Sequence, residues 1–250
     1  MDIDAYLDRI NYRGPRVPTA ESLRDLQVAH LFTVPFENLS IHAKEPIVLD
    51  TGALFQKVVS RRRGGFCYEL NGLFAELLRG LGFRVEMLAA EVAGPDGSFG
   101  PKFDHMALKV SLEHSWLVDV GFGDSFLEPL LLDTQEPQVQ GDNAFRILTD
   151  GNNCILERSV RGEDWKPQYR FDLYPHEFAD YEEMCRFHQT SPESHFTQNR
   201  ICSLATPEGR TTLSGMRLIT TTSGERHERQ TDTPAEYVQI LRKVFGITDV

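Results

Sequence analysis

The sequence predicts an α+β fold on three observations: apolar residues at helical spacing up to about residue 85, apolar alternation beyond it, and a well-capped helix at the carboxyl end. In the first stretch Thr19 can cap a helix whose apolar residues Leu23, Leu26, Val28 and Leu31 are interleaved with Glu21, Arg24 and Asp25. Pro35 ends that helix, because proline cannot continue the hydrogen-bond ladder. Phe36 and Glu37, next to it, fit a packed turn by spacing, with a pocket wall as the alternative. A short helix is expected over 51–59. Leu70, Leu73, Phe74, Leu77, Leu78 and Leu81 then mark one buried helical face, which Gly80 and Gly82 close.

After Gly82 the period falls to two. Phe83, Val85, Met87 and Ala89 alternate along a strand, and a loop follows through Gly94-Pro95-Asp96-Gly97 to Pro101. The runs 104–110 and 116–123 form a hairpin. With Leu112, Glu113 and His114 as its loop, Ala107 faces Asp119, and His105 lies diagonally from Asp119 on the same sheet face, roughly 7 Å away. A slip of one residue would separate them. Asp119 sits between Val118 and Val120, where a carboxylate is costly to bury alone, so His105 is the expected partner.

Residues 125–190 read as further short strands, with His176 and His188 as surface or loop histidines. Residues 191–204 read as a polar loop entering a strand. A hairpin over 201–213 turns at Thr206-Pro207-Glu208-Gly209. Thr233-Pro234-Ala235-Glu236 then opens the last helix as a capping box, with Tyr237, Ile240, Leu241, Val244 and Phe245 on one face.

The chain has 250 residues and a formal net charge of −11. That charge disfavours nucleic acid and anionic membrane as partners, since both need clustered positive charge. The start lacks a signal pattern and no apolar run reaches membrane-span length, so a cytoplasmic location is expected. Cys67, Cys154, Cys185 and Cys202 are widely spaced, which predicts neither a disulfide framework nor a metal site; the last three are expected to be packing residues.

Cys67 stands apart because it opens a helix directly behind Gly64 and Gly65. Unpaired N–H groups and the helix dipole favour a thiolate there, and the glycines would allow positive φ and leave room beside the sulfur. A buried small hydrophobe at a helix start is the open alternative. A cysteine at a helix start, a histidine at a strand start and an aspartate in the next strand together supply a nucleophile, a base and a carboxylate that fixes the imidazole tautomer. A neighbouring imidazolium would lower the thiol pKa further.

The stretches RGGFCYELN (63–71), His105-Met106, VDVGFG (118–123), VPFENL (34–39) and Ser191-Pro192-Glu193-Ser194-His195-Phe196, with Gly209-Arg210 and Leu213, resemble the arylamine N-acetyltransferases over nearly the whole chain. The resemblance implies a helical bundle over 1–85, a central β-barrel-like domain over 86–190 and an α/β lid over 191–250, around a cysteine-protease-like core of Cys67, His105 and Asp119. It also implies acetyl-CoA as donor, with no metal, and an aromatic amine, hydrazine or N-hydroxyarylamine as acceptor. Pro101, Lys102, Gly121 and Gly123 match the family's CoA-contact positions; Phe36, Asp104 and Phe122 fall at its acceptor pocket. Asp104 departs from the family's most frequent form and puts negative charge near a polyanionic ligand. The same Cys, His, Asp order suits a papain-like or transglutaminase-like enzyme, or a related amide synthase; a CoA-binding protein without activity is the non-enzymatic rival.

Overall fold

Helices dominate the first eighty residues because capping side chains start them where the apolar spacing begins. The structure, a computed structural model, describes residues 1–249. Helix α1 (Ile3–Arg9) starts at Asp2, whose carboxylate accepts from Ala5 N, and α2 (Ala20–Leu31) starts at the expected Thr19, whose hydroxyl accepts from Ser22 N. Past Pro35 come a two-residue strand β1 (Phe36–Glu37), α3 (Leu39–Ala43), α4 (Thr51–Phe55) and a π-helical turn, Gln56–Ser60. Then α5 (Cys67–Gly80) runs through the interior.

The sequence shows one apolar face on α5, yet every residue from Cys67 to Ala75 is buried. The reason is that the polar residues of the first turns have partners: Lys57 Nζ lies 2.7 Å from Glu69 Oε1, and Asn71 hydrogen-bonds across to the sheet. Gly64 and Gly65 also differ from expectation. Neither has positive φ; a Cβ on Gly64 would lie 1.9 Å from Pro35 O, and one on Gly65 2.7 Å from Glu69 Oε2. They are glycines because backbone and carboxylate press against them, not to free space at the sulfur.

The strands β2 (Arg84–Val92), β3 (His105–Ser111), β4 (Ser115–Val118), β5 (Leu130–Leu131), β6 (Gln138–Gln140), β7 (Asn143–Asp150), β8 (Asn153–Val160) and β9 (Lys166–Asp172) form one antiparallel sheet, ordered β5-β4-β3-β2-β9-β8-β7-β6. Its two edges meet through side chains, making it barrel-like: the Gln138 amide bonds both N–H and C=O of Leu131, and the Gln140 amide bonds the N–H groups of Leu127 and Glu128 and the carbonyl of Glu128. These amides satisfy an edge that would otherwise be open. Phe145, Leu156 and Tyr169 are among the side chains filling the interior.

The β3–β4 register pairs Leu108 with Val118 and Ser111 with Ser115, which is the three-residue loop the sequence predicts. β4 is shorter than expected, ending at Val118; residues 119–123 leave the ladder and pass over the start of α5. A second correction concerns 178–190, where strands were expected. There the chain forms a 3₁₀ turn (Phe178–Tyr181) and helix α6 (Glu182–Thr190), and His188 on that helix is buried rather than at the surface.

A short helix α7 (His195–Gln198) interrupts the expected polar loop before β10 (Ile201–Thr206) and β11 (Gly209–Ser214), the predicted hairpin. Two further strands, β12 (Arg217–Thr222) and β13 (Glu225–Gln230), extend this second sheet, and β1 pairs with β10 at its other edge. Helix α8 (Pro234–Lys243) packs Tyr237, Ile240 and Leu241 against Cys202 and Leu213. Thr233 accepts from Glu236 N as expected, while the Glu236 carboxylate accepts from Asp232 N one residue before the cap. Among the described residues, no helix is long and apolar enough to cross a membrane.

His30 on α2 makes stability sensitive to acid. It is fully buried, its Nδ1 lies 3.0 Å from the Tyr6 hydroxyl, and burial, helped by the Arg9 charge, pushes its imidazole from 6.5 down to about 3. The unfolded chain therefore binds this proton before the folded chain does. The contribution is complete above 6.5 and is lost as pH falls towards about 3. His30→Phe should remove up to about 5 kcal/mol of that acid sensitivity. Thermal unfolding followed across this window should show a flatter Tm profile in the variant; parallel profiles would count against a neutral buried imidazole.

Candidate active site

Cys67 opens α5 against a frame of buried ion pairs. Arg63 Nη2 lies 3.0 Å from Glu37 Oε1, and both side chains are buried. Glu37 N donates to Gly65 O, and Glu69 Oε2 accepts from Phe66 N at 3.1 Å. The bend that delivers Cys67 is thus held from β1 on one side and from the first turn of α5 on the other. Cys67 is 3 % exposed.

Facing it is a carboxylate with four donors. His105 Nε2 lies 2.7 Å from Asp119 Oδ2, and the Tyr169 hydroxyl donates to the same oxygen at 3.2 Å. Oδ1 accepts from Asn71 Nδ2 and from Gly121 N, each at 2.8 Å. Asn71 ties the site together: its amide also donates to Met106 O at 2.6 Å, and its oxygen accepts from Val120 N at 2.8 Å. Four residues after Cys67 on the helix, it holds the strand of His105 and the segment of Asp119 to the helix that Cys67 opens. Behind them Gln27 accepts from Asp119 N at 3.3 Å and donates to Leu127 O at 3.0 Å.

Burial pushes the Cys67 thiol well above its ordinary value, and the Asp119 and Asp104 carboxylates add to this; the Met106 backbone N–H works the other way. Enclosure therefore opposes the helix start, which was expected to favour a thiolate. His105, buried in the same interior, is the side chain that meets Asp119 there.

Of the other residues singled out by sequence, Phe122 packs edge-on against His105, with ring centroids 5.2 Å apart, and Phe36 packs against Phe196 at 6.1 Å. A Cβ on Gly123 would lie 3.3 Å from the Phe36 ring, so this glycine brings the 119–123 segment onto that wall; its φ is +92. A Cβ on Gly121 would lie 2.7 Å from Cys67 Cα, so that glycine is needed for close approach to α5. Lys102 reaches Asp172 at 3.1 Å, Asp104 lies against His188 at 3.2 Å, and Pro101 is exposed at the start of the turn leading to His105.

Sequence reasoning missed Asn71, Tyr169 and Gln27. Asn71 left a signal, a polar residue on a helix whose surroundings are apolar. Tyr169 left none, because its partner is fifty residues away across the barrel.

The sequence profile of the N-acetyltransferase family matches residues 19–249. The arylamine N-acetyltransferase of Mycolicibacterium smegmatis is 35% identical over 254 residues, covering 99% of this chain and 92% of that protein. The pineal gland isozyme NAT-3 of Gallus gallus is 36% identical over 239 residues, covering 87% and 82%. Among solved structures, the arylamine N-acetyltransferase of Mycobacterium marinum in complex with CoA superposes with a TM-score of 0.92 at 35% identity, covering 99% of this chain and 93% of that one. The Salmonella typhimurium enzyme gives 0.92 at 32%, covering 98% and 91%. A profile that spans most of the chain and relatives matched from end to end place this protein in the arylamine N-acetyltransferase family.

Proposed function

We propose that this chain transfers an acetyl group from acetyl-CoA to an arylamine, arylhydrazine or N-hydroxyarylamine through an S-acetyl-Cys67 intermediate. The observation that supports it most directly is the buried 2.7 Å contact between His105 Nε2 and Asp119 Oδ2, in the interior that holds Cys67. With Nε2 engaged by Asp119, the other ring nitrogen is the one available to the sulfur.

In the first half-reaction His105 takes the thiol proton as Cys67 Sγ attacks the thioester carbonyl. The bond from that carbon to the CoA sulfur breaks, and CoA leaves as a thiol with the proton His105 returns. The acceptor nitrogen then attacks the S-acetyl group, the carbon–Cys67 bond breaks, and one amine proton passes through His105 to restore the thiol. Asp119 keeps the ring oriented and stabilises its charged form during each transfer. Phe36 and Phe122 offer flat apolar walls for an aromatic acceptor. Pro101, Lys102, Gly121 and Gly123 remain the proposed donor side, where the exposed Lys102 ammonium is the group suited to a phosphate. Asp104 is better placed to hold His188 than to touch an acceptor.

Incubation with acetyl-CoA alone should add one acetyl mass to the intact protein, located on Cys67 and absent in Cys67→Ser. Release of CoA thiol should continue only when an arylamine is present, with no cleavage of peptide or glutamine amides. A protein that gains no acetyl group would sink the proposal.

Asp119→Asn should lower kcat at least about a hundredfold, because the ring loses its orienting charge, and should cost about 2 kcal/mol of stability. Tyr169→Phe removes a single donor and should cost about 1 kcal/mol, with a smaller loss of kcat. Steady-state kinetics and thermal melts on both variants check this; an Asn variant as active as wild type would remove Asp119 from the mechanism.

Lys102→Glu should raise the KM for acetyl-CoA by about fivefold or more while leaving kcat nearly unchanged, the mark of lost binding rather than lost chemistry. An unaltered KM would take Lys102 off the donor side.

A further inference from the structure

A second histidine–carboxylate contact lies beside Cys67, outside the network around Asp119. The carboxylate of Asp104, the residue before His105, lies with Oδ1 3.2 Å from Nε2 of His188 on α6. The approach is off the line a hydrogen bond requires, so Nε2 has no directed partner, although His188 is 6 % exposed. Its other nitrogen, Nδ1, is 3.1 Å from Ser194 Oγ. That oxygen also accepts from Phe196 N at the start of α7, which ties the ring to the helix that follows. The ring is walled by aromatic groups, stacking on Tyr68 at 6.0 Å and meeting Phe196 edge-on at 5.2 Å. A polar atom enclosed in this way depends on the one carboxylate near it.

The turn that carries Asp104 does not hold itself. Phe103 has a φ of +68, a conformation that costs a residue with a side chain about 1 kcal/mol or more unless its surroundings impose it. Asp104 N bonds Pro101 O at 3.2 Å, and the Tyr68 hydroxyl lies 2.7 Å from Phe103 O and 3.2 Å from Asp104 O. Tyr68 is the neighbour of Cys67, and it also stacks on His188. The turn before His105, the first turn of α5 and helix α6 therefore meet at one point.

We propose that Asp104 and His188 are positioning residues: together with Tyr68 they hold the turn that aims His105 at the Cys67 sulfur. This rests on the roles given above to Cys67 and His105. The competing account is that Asp104 acts only through its charge, and the two accounts predict opposite signs. Asp104 adds to the rise of the thiol pKa, so losing its charge alone would make Cys67 more reactive. Losing its grip on the turn would make Cys67 less reactive.

The test is the rate of iodoacetamide labelling of Cys67 at neutral pH, followed by intact mass and peptide mapping, with circular dichroism to verify the fold and His105→Gln as the floor. His188→Phe keeps a ring in the aromatic stack and removes the contact to Asp104. Asp104→Asn and His188→Phe should each slow labelling by about tenfold, and the double variant should be no slower than either, since both break one device. Labelling in Asp104→Asn that is unchanged or faster overturns the proposal, as do two single effects that multiply. If His188→Phe fails to fold, Asp104→Asn decides alone. Labelling needs no acetyl-CoA, so a wild-type protein that takes up no acetyl group would defeat the proposed function and still leave this test decisive.

Discussion

The site depends on one fact of electrostatics: Asp119 is almost wholly enclosed, and a carboxylate taken out of water costs several kcal/mol unless donors surround it. Four groups meet that need: the His105 ring, the Tyr169 hydroxyl, the Asn71 amide and the Gly121 N–H. They come from β3, β9, α5 and the segment after β4. Satisfying one acid thus brings together the elements that carry Cys67 and His105, and removing any donor leaves part of the charge unpaired.

The same logic runs behind Cys67. Glu69 and Glu37 are both wholly buried, one paired with Lys57 and the other with Arg63. Such pairs add little net stability compared with apolar residues of the same size, because desolvation offsets their attraction. What they do impose is direction. Glu69 also receives Phe66 N, and Glu37 N binds Gly65 O, so the chain can enter α5 only along the line that puts Cys67 at its first position. The two glycines are the steric side of that constraint, since Pro35 O and the Glu69 carboxylate occupy the space a Cβ would need.

What could be read in the sequence was local. The β3–β4 register followed from a three-residue loop, and with it the meeting of His105 and Asp119. Thr19 and Thr233 announced their helices because a cap is decided within four residues. What could not be read depends on partners far along the chain. Glu69 looks like the solvent side of an amphipathic helix until Lys57 is in place. Helix α6 was hidden by its composition: only Met184, Cys185 and Phe187 are apolar, and what it buries includes His188, whose surroundings come from Tyr68 and Asp104. Strand β13 is exposed along its whole length and shows no alternation to detect.

Enclosure of the sulfur works against a resting thiolate, and this bears on how the site divides its labour. Water could stabilise a thiolate in an open cleft, and the base would matter less. Here burial and the neighbouring carboxylates raise the Cys67 thiol pKa, with the Met106 N–H as the opposing backbone contact. Under the proposed mechanism, proton transfer to His105 makes the nucleophile, and Asp119 is the group placed to stabilise the imidazolium in a dry interior. On that proposal the geometry of the ring relative to sulfur and carboxylate sets reactivity more than the intrinsic acidity of the thiol does. That is why the residues governing this site are expected to include groups that never touch substrate, such as Asn71 and Tyr169 around the carboxylate.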